Sequence, residues 1–211
     1  MPFGEQKLWV GSPLLFIFGA KAIFLRHRQV PLRVTCLKLQ KITLNVIANS
    51  MTLTSQNLIL RRLKKSDKEE FYDIMGNKEV MDPIPLPTIS KNESDSHLLE
   101  VIENKEIDIF AITKKNNENL IGIVALTRDN EILYRLRPKY WGKGYAKEAV
   151  SIFIDYVFLE LKKEYITAEA NKSNIASIKI LTKFMIKTGE YFSKDLNCTN
   201  VTFKKKPITQ G

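Results

Sequence analysis

The segment Lys139-Tyr140-Trp141-Gly142-Lys143-Gly144-Tyr145-Ala146 combines residue types and spacing that can do chemistry. It lies between a run that reads as a strand and a long run that reads as a helix. Two glycines at such a junction let the backbone turn sharply and come close to a ligand. The helix that follows leaves its first amides unpaired, with partial positive charge concentrated at that end. Together these features form a cradle for a phosphate or pyrophosphate, and Lys143 and Lys147 can add charge. A Gly-x-Gly pair also occurs in plain strand-to-helix turns, with Trp141 then expected in the core. Two familiar nucleotide patterns are excluded. A dinucleotide fingerprint needs a third glycine where Lys147 stands. A Walker loop needs Ser or Thr after Gly-Lys, where this chain has Gly144.

Several elements must hold that segment in place. Leu58 to Leu63 reads as a strand. Ser66 is expected to open a helix, with Glu69 completing a capping box. Phe71, Ile74 and Met75 form the apolar face of that helix, and Gly76 ends it. Prolines 83, 85 and 87 forbid a helix interior and predict an extended loop. Ser94 to Asn104 is expected to be a second helix, with Leu98, Leu99 and Ile102 inward. Strands follow at Ile107–Thr113, Leu120–Thr127 and Glu131–Leu136. Gly142 to Leu161 is expected to be a long helix buried on two sides, because Ile154 and Phe158 lie off its main apolar stripe. A strand at Tyr165–Ala170, a helix at Asn174–Met185 and two short strands near Tyr191 and Val201–Lys204 complete the order β-α-α-β-β-β-α-β-α-β-β. Polar residues at element ends serve caps and turns. Asn174 therefore reads as a helix cap, Ser177 as a surface residue and Glu131 as an exposed strand residue.

The chain has 211 residues, 44% apolar and 27% charged, which suits one globular domain with an extension. Residues 1–50 carry seven Lys or Arg against one acid, and residues 51–211 carry 26 against 22. The formal charge of +10 thus resides largely in the first fifty residues and argues against direct nucleic-acid binding by the domain. Leu8 to Ala20 is uncharged, yet shorter than the ~20 residues of a spanning helix, so no transmembrane segment is expected. The stretch can be read as a secretory or targeting segment. The favoured expectation is that residues 1–50 lie outside the fold or reflect a misassigned start, with Met51 the true beginning. The domain is expected over 51–205, with a tail at 206–211. Cys36 and Cys198, with His27 and His97, build neither a zinc site nor a disulfide framework, so no metal is expected and a reducing, cytoplasmic setting is favoured.

With these elements in order, the segment around Gly142 and Gly144 resembles motif A of the GCN5-related N-acetyltransferases (GNAT). Glu131 to Pro138 and Tyr140 to Ala149 resemble the RimJ/RimL-like, ribosomal-protein-alanine acetyltransferase branch. Leu58–Leu63, Asn77–Met81 and Asn174-Ile175-Ala176-Ser177 with Lys183 resemble other parts of that branch. The resemblance implies an α/β GNAT fold: a mixed sheet of about seven strands, about four flanking helices and a V-shaped split between the fourth and fifth strands. It implies transfer of an acetyl group from acetyl-CoA to a primary amine, by direct attack in a ternary complex. The acceptor is a ribosomal or other protein N-terminus, a small amine being the alternative. A catalytically decayed acyl-CoA-binding module is a further alternative.

The resemblance also implies site residues. Amides of Trp141, Gly142, Lys143, Gly144, Tyr145 and Ala146 would bind the pyrophosphate. Lys139 stands where relatives carry Gln or Arg. The strand edge near Leu136 would pair with the pantetheine arm, and Asn174 would hydrogen-bond the cofactor. Ser177 would sit near the leaving sulfur, and Glu131 or a water would take the amine proton. The acceptor pocket is expected between the split and the loop Glu79–Thr88, with Glu79 and Asp82 supplying negative charge. Leu181 stands where many relatives have a tyrosine. Met185-Ile186 replaces a usual Gly-Phe, which puts the end of the last helix in question, because that glycine is expected to be left-handed.

Overall fold

The computed structural model describes residues 45–47, 50–81, 87–104 and 108–207. Asp82 lies outside them. Among the described residues nine strands run in chain order: β1 Asn45–Ile47, β2 Ser50–Thr54, β3 Leu58–Arg61, β4 Asp108–Lys114, β5 Asn117–Leu126, β6 Ile132–Leu136, β7 Ile166–Asn171, β8 Ile186–Ser193 and β9 Cys198–Lys205. Five helices accompany them: α1 Lys68–Met75, α2 Lys78–Met81, α3 Lys91–Glu103, α4 Tyr145–Leu159 and α5 Ile175–Phe184. Strands β1 to β6 form one antiparallel sheet in sequence order, and β7, β9 and β8 form a second, with β9 central. The two sheets touch through one parallel bridge, Glu131 to Thr167. Beyond it β6 and β7 separate. This is the expected mixed α/β architecture with a split. Strands β3 to β9 are the seven foreseen, and β1 and β2 add a hairpin at the edge.

That hairpin begins before Met51. Val46 pairs with Met51 and Asn45 with Thr52, so the sheet reaches into the stretch expected to lie outside the fold.

Burial on both faces explains why the central strands read as continuous apolar runs. Ala111 and Ile112 in β4 and Leu120 to Val124 in β5 are buried. On one face lies α4, buried on two sides as its pattern predicted, with Phe153 and Tyr156 meeting Phe110 at centroid distances of 5.8 and 5.3 Å. On the other face, α1 contributes Phe71, Ile74 and Met75, and α3 contributes Leu98 and Val101. Gly122 in β5 lies opposite Leu136, where an added Cβ would come within 2.5 Å of the Arg135 carbonyl oxygen. The strand pair carrying the split can therefore approach only because residue 122 lacks a side chain.

Local signals differ from the sequence expectation at three helix ends. The Ser66–Glu69 capping box does not form. Residues Lys65–Asp67 make a 3-10 turn, and the buried Asp67 carboxylate accepts the Lys64 amide at 2.8 Å while binding Arg61 with both oxygens at 2.7 and 2.8 Å. A buried bidentate ion pair outweighs an exposed serine cap. Helix α3 starts at Lys91, with Ser90 and Glu93 as its capping box, and this rotation leaves Leu99 39% exposed. At the end of α5, Met185 adopts φ −133° and ψ 158°, is buried at 5% exposure, and leads directly into β8. No left-handed residue is required there, so Met185 carries none of the strain expected at that position.

Candidate active-site cleft

The cleft opens where β6 and β7 part, and encloses about 700 Å³. At one end lies the turn from β6 into α4. Pro138–Tyr140 form a 3-10 turn, and Gly142 and Gly144 both take left-handed backbone, with φ 71° and 81°. An L-residue would be strained at either, although a Cβ would meet no atom within 4 Å. Gly144 is the N-cap of α4 and supplies no side-chain acceptor, so the leading amides of the helix face outward without a cap. Glu148 in the first turn points elsewhere. Its carboxylate accepts from Ser55 Oγ at 2.6 Å and the Asn57 amide at 2.7 Å, which ties the helix start to the β2–β3 turn.

Trp141 is not in the core. It is 43% exposed and lines the cleft, while its Nε1 donates to the Leu136 carbonyl at 2.7 Å. Lys139 and Lys143 do not line the cleft. The Lys143 ammonium donates to the Lys139 carbonyl at 2.8 Å, and both ammonium groups lie near the Tyr140 ring, at 5.3 Å for Lys139 and 5.8 Å for Lys143. Cationic side chains on the cleft wall are Arg135, Lys147, Lys179 and Lys183 instead.

The wall formed by β6 is an unpaired strand edge. The Arg137 amide donates to the Ile121 carbonyl on β5 at 3.0 Å. By alternation, the N–H and C=O groups of Ile132, Tyr134 and Leu136 face away from β5 into the split. The indole occupies the Leu136 carbonyl and the bridge to Thr167 engages the Ile132 amide, which leaves the Leu136 amide, both backbone groups of Tyr134 and the Ile132 carbonyl. An extended amide-bearing arm fits such an edge.

On the opposite wall, Asn174 caps α5, accepting the Ser177 amide on its Oδ1 at 3.0 Å. Asn174 also lines the cleft, so its cap role does not remove it from the site. Ser177 also lines the cleft, close to Tyr134. Tyr134 carried no signal in the sequence beyond an aromatic in a strand. Its hydroxyl is buried, and among the described residues it makes no hydrogen bond of good geometry, although the Ser177 hydroxyl lies close to it. Burial pushes that phenol up from its ordinary value, opposed by the Ser177 hydroxyl.

Glu131 sits at the vertex, where the single bridge joins the sheets, and its amide donates to Thr127 Oγ1 at 3.0 Å. Burial first, and then the carboxylates of Glu169 and Asp129, push its carboxyl up to about 7. A base of that strength is suited to proton transfer near neutrality. Glu169, which the sequence did not single out, lines the same cleft and accepts the Tyr191 hydroxyl at 2.6 Å. Glu79 lies in α2 at the far rim. Two sequence candidates thus fall away from the cleft and one beyond the described residues. The other ten line it, or in Ala146 and Tyr145 frame its helix start.

An acetyltransferase (GNAT) domain family matches residues 57–185. An N-acetyltransferase of Bacillus subtilis, YnaD, is 25% identical over 151 residues, 68% of this chain and 87% of that protein. A GNAT-family acetyltransferase of Bacillus anthracis superposes with a TM-score of 0.67 at 21% identity, covering 74% of this chain and 98% of that one. RimL, a ribosomal-protein alpha-N-acetyltransferase solved with coenzyme A, superposes with a TM-score of 0.63 at 14% identity, covering 72% of this chain and 95% of that one.

Proposed function

Because the chain belongs to the acetyltransferase (GNAT) domain family and is an N-acetyltransferase, we propose that its cleft binds acetyl-CoA along β6 and passes the acetyl group to a protein or peptide N-terminus. The observation that carries this reading is the continuous track from the uncapped start of α4, along the free edge of β6, to the carboxyl of Glu131. The amides from Trp141 to Ala146 receive the pyrophosphate, with Lys147 adding charge. The free outward groups of Leu136, Tyr134 and Ile132 pair with the pantetheine amides, and Asn174 closes over the arm from α5. The bound thioester supplies the activated acetyl group.

The protein's own part is positioning and proton handling. An amine must be neutral to attack, and Glu131 accepts its proton. A free backbone N–H of β6 stabilises negative charge growing on the carbonyl oxygen. Ser177, with the Tyr134 phenol behind it, lies where the sulfur departs and returns a proton to it. A thiolate of pKa near ~8.5 leaves tolerably well, so positioning can account for much of the rate. No nucleophilic triad is required. The acidic rim of Glu79, Glu131 and Glu169 attracts a cationic amine, which suits a peptide N-terminus and equally a small polyamine.

The mass gained by a panel of peptides and small amines incubated with acetyl-CoA tests this reading. An added acetyl group on peptide N-termini supports it. Acetylation of small amines alone moves the acceptor to the second class. No acetylation of any acceptor, with acetyl-CoA bound, would identify a binding module instead. The setting in which this happens is proposed to be cytoplasmic, on the grounds of cysteine usage alone.

A further inference from the structure

Arg135, like Lys179 and Lys183, is a cleft-lining charge that the acetyl-transfer scheme leaves unused, and unlike those two it lies on a strand, β6. The side chains of β6 alternate between faces. Ile132 and Leu136 join the core beneath α4, so Arg135 faces the other way, toward α1 and α3. Its Nη1 lies 3.9 Å from Met75 Sδ, and its Nε is buried without any hydrogen-bond partner. Among the described residues it forms no ion pair. The two buried arginines among the described residues show the contrast: Arg61 has Asp67, and Arg137 has Asp73 and the Leu120 carbonyl. Glu79 lines the same cleft without pairing with it. The other titratable group nearby is His97 on α3. Burial holds that imidazole toward its neutral form, Glu100 opposes this, and the Arg135 charge adds to it.

A half-buried guanidinium whose Nε is shut from solvent, with a thioether as its contact, lacks the oxygen acceptors that its planar fork is built to meet. Burial holds it below its ordinary value, at about 10, so it nonetheless remains a cation at neutral pH. An uncompensated charge held partly out of water is costly to a fold, and such a charge lining a cavity is accounted for by a ligand that neutralises it.

We propose that Arg135 binds an anionic oxygen group, a carboxylate or a phosphate, on the acceptor itself. The acceptor is then an amphoteric molecule: its amine lies toward Glu131, and its anion is held by the guanidinium on the α1/α3 face of β6. This rests on the acetyl-transfer reading above and narrows its substrate class. A simple polyamine offers no such group and is disfavoured.

Matched acceptor pairs test the proposal. One arm compares amino acids with their amides, a second compares phosphoethanolamine with ethanolamine, and a third compares peptides carrying Glu or Gln after the first residue. The wild-type protein should show a KM at least ~10-fold lower for the anionic member of one arm, and that arm identifies the source of the anion. Arg135→Met should abolish the gap while leaving the KM for acetyl-CoA unchanged. Its melting temperature should hold or rise, because an unpaired charge held partly out of water has been removed. Arg135→Lys should restore part of the gap, since a point charge replaces the fork. Equal KM values within every pair in the wild type, or a gap that survives in Arg135→Met, would overturn the proposal. So would a melting temperature that drops in Arg135→Met with the gap intact, which marks a purely structural arginine. If no acceptor is acetylated, the acetyl-transfer reading fails. Calorimetric titration of the same pairs then decides the anion preference by itself.

Discussion

Replacing Glu131 by Gln separates its cost to the fold from its use in the reaction. The carboxyl moves from 4.5 to about 7 on folding, chiefly because burial disfavours the charged form. At about 1.4 kcal/mol per tenfold change in acidity, the charged form is penalised by up to about 3 kcal/mol in the folded protein. The sign follows from proton counting. Between 4.5 and about 7 the folded state holds a proton that the unfolded state has lost, so stability falls as pH rises through that window and levels off above it. Gln carries no such penalty. Glu131→Gln should match the wild type near pH 4.5 and be more stable above pH 7, by an amount that urea titration measures as up to about 3 kcal/mol. In the same variant kcat/KM should fall by about 100-fold, and the rise of rate through pH 7 should disappear, leaving only the ionisation of the acceptor amine. A stability difference that does not depend on pH would refute the burial argument. An unchanged pH–rate profile would refute the role as base.

Three further perturbations probe other links. Tyr134→Phe removes a buried hydroxyl that makes no hydrogen bond of good geometry among the described residues, so stability should be unchanged or slightly raised while kcat falls about tenfold; a loss of stability would mean that the hydroxyl serves the fold. Asp67→Ala strands the buried Arg61 guanidinium, and guanidinium-chloride melts should show a loss of about 3–5 kcal/mol, whereas a loss under 1 kcal/mol would contradict the cap assignment. We also propose that residues 1–50 are dispensable: among the described residues, a chain starting at Met51 loses β1 and Ser50 of β2, keeps the β2–β3 pairing, and should remain soluble and bind acetyl-CoA, while aggregation of that chain would show that the β1 hairpin is structural.

Order and periodicity made most of the fold legible. The strands β3 to β9 and the helices α1, α3, α4 and α5 fall, to within a few residues at their ends, where alternation and helical spacing put them, since burial patterns repeat every two or 3.6 residues, whereas the short α2 was not foreseen. The cradle was legible for a different reason: only glycine readily supplies the two left-handed positions at Gly142 and Gly144. Long-range pairings were not legible. Asp67 outcompetes Ser66 because Arg61 waits beside it, a fact of packing and not of local pattern. Lys143 looks like added charge for a phosphate in a linear reading, yet the Lys139 carbonyl and the Tyr140 ring engage its ammonium group. Tyr134 and Arg135 read as an ordinary strand dipeptide. Their opposite faces place one beside Ser177 and the other against α1, and this assignment requires knowing which helix covers which face. The concern over Met185 came from family pattern alone and dissolves because the chain leaves α5 in an extended conformation.

The central claim is that the uncapped start of α4 holds the pyrophosphate of acetyl-CoA. A Cβ at Gly144 meets no protein atom within 4 Å, so Gly144→Glu adds bulk and negative charge only where the ligand should lie, at a backbone cost of about 1–2 kcal/mol from its positive φ. Calorimetric titration with acetyl-CoA, alongside a thermal melt of each protein, makes the test. Saturable binding to the wild type, lost by at least ~100-fold in a variant that still melts cooperatively, is the expected result. Equal affinity in the two proteins would contradict the account.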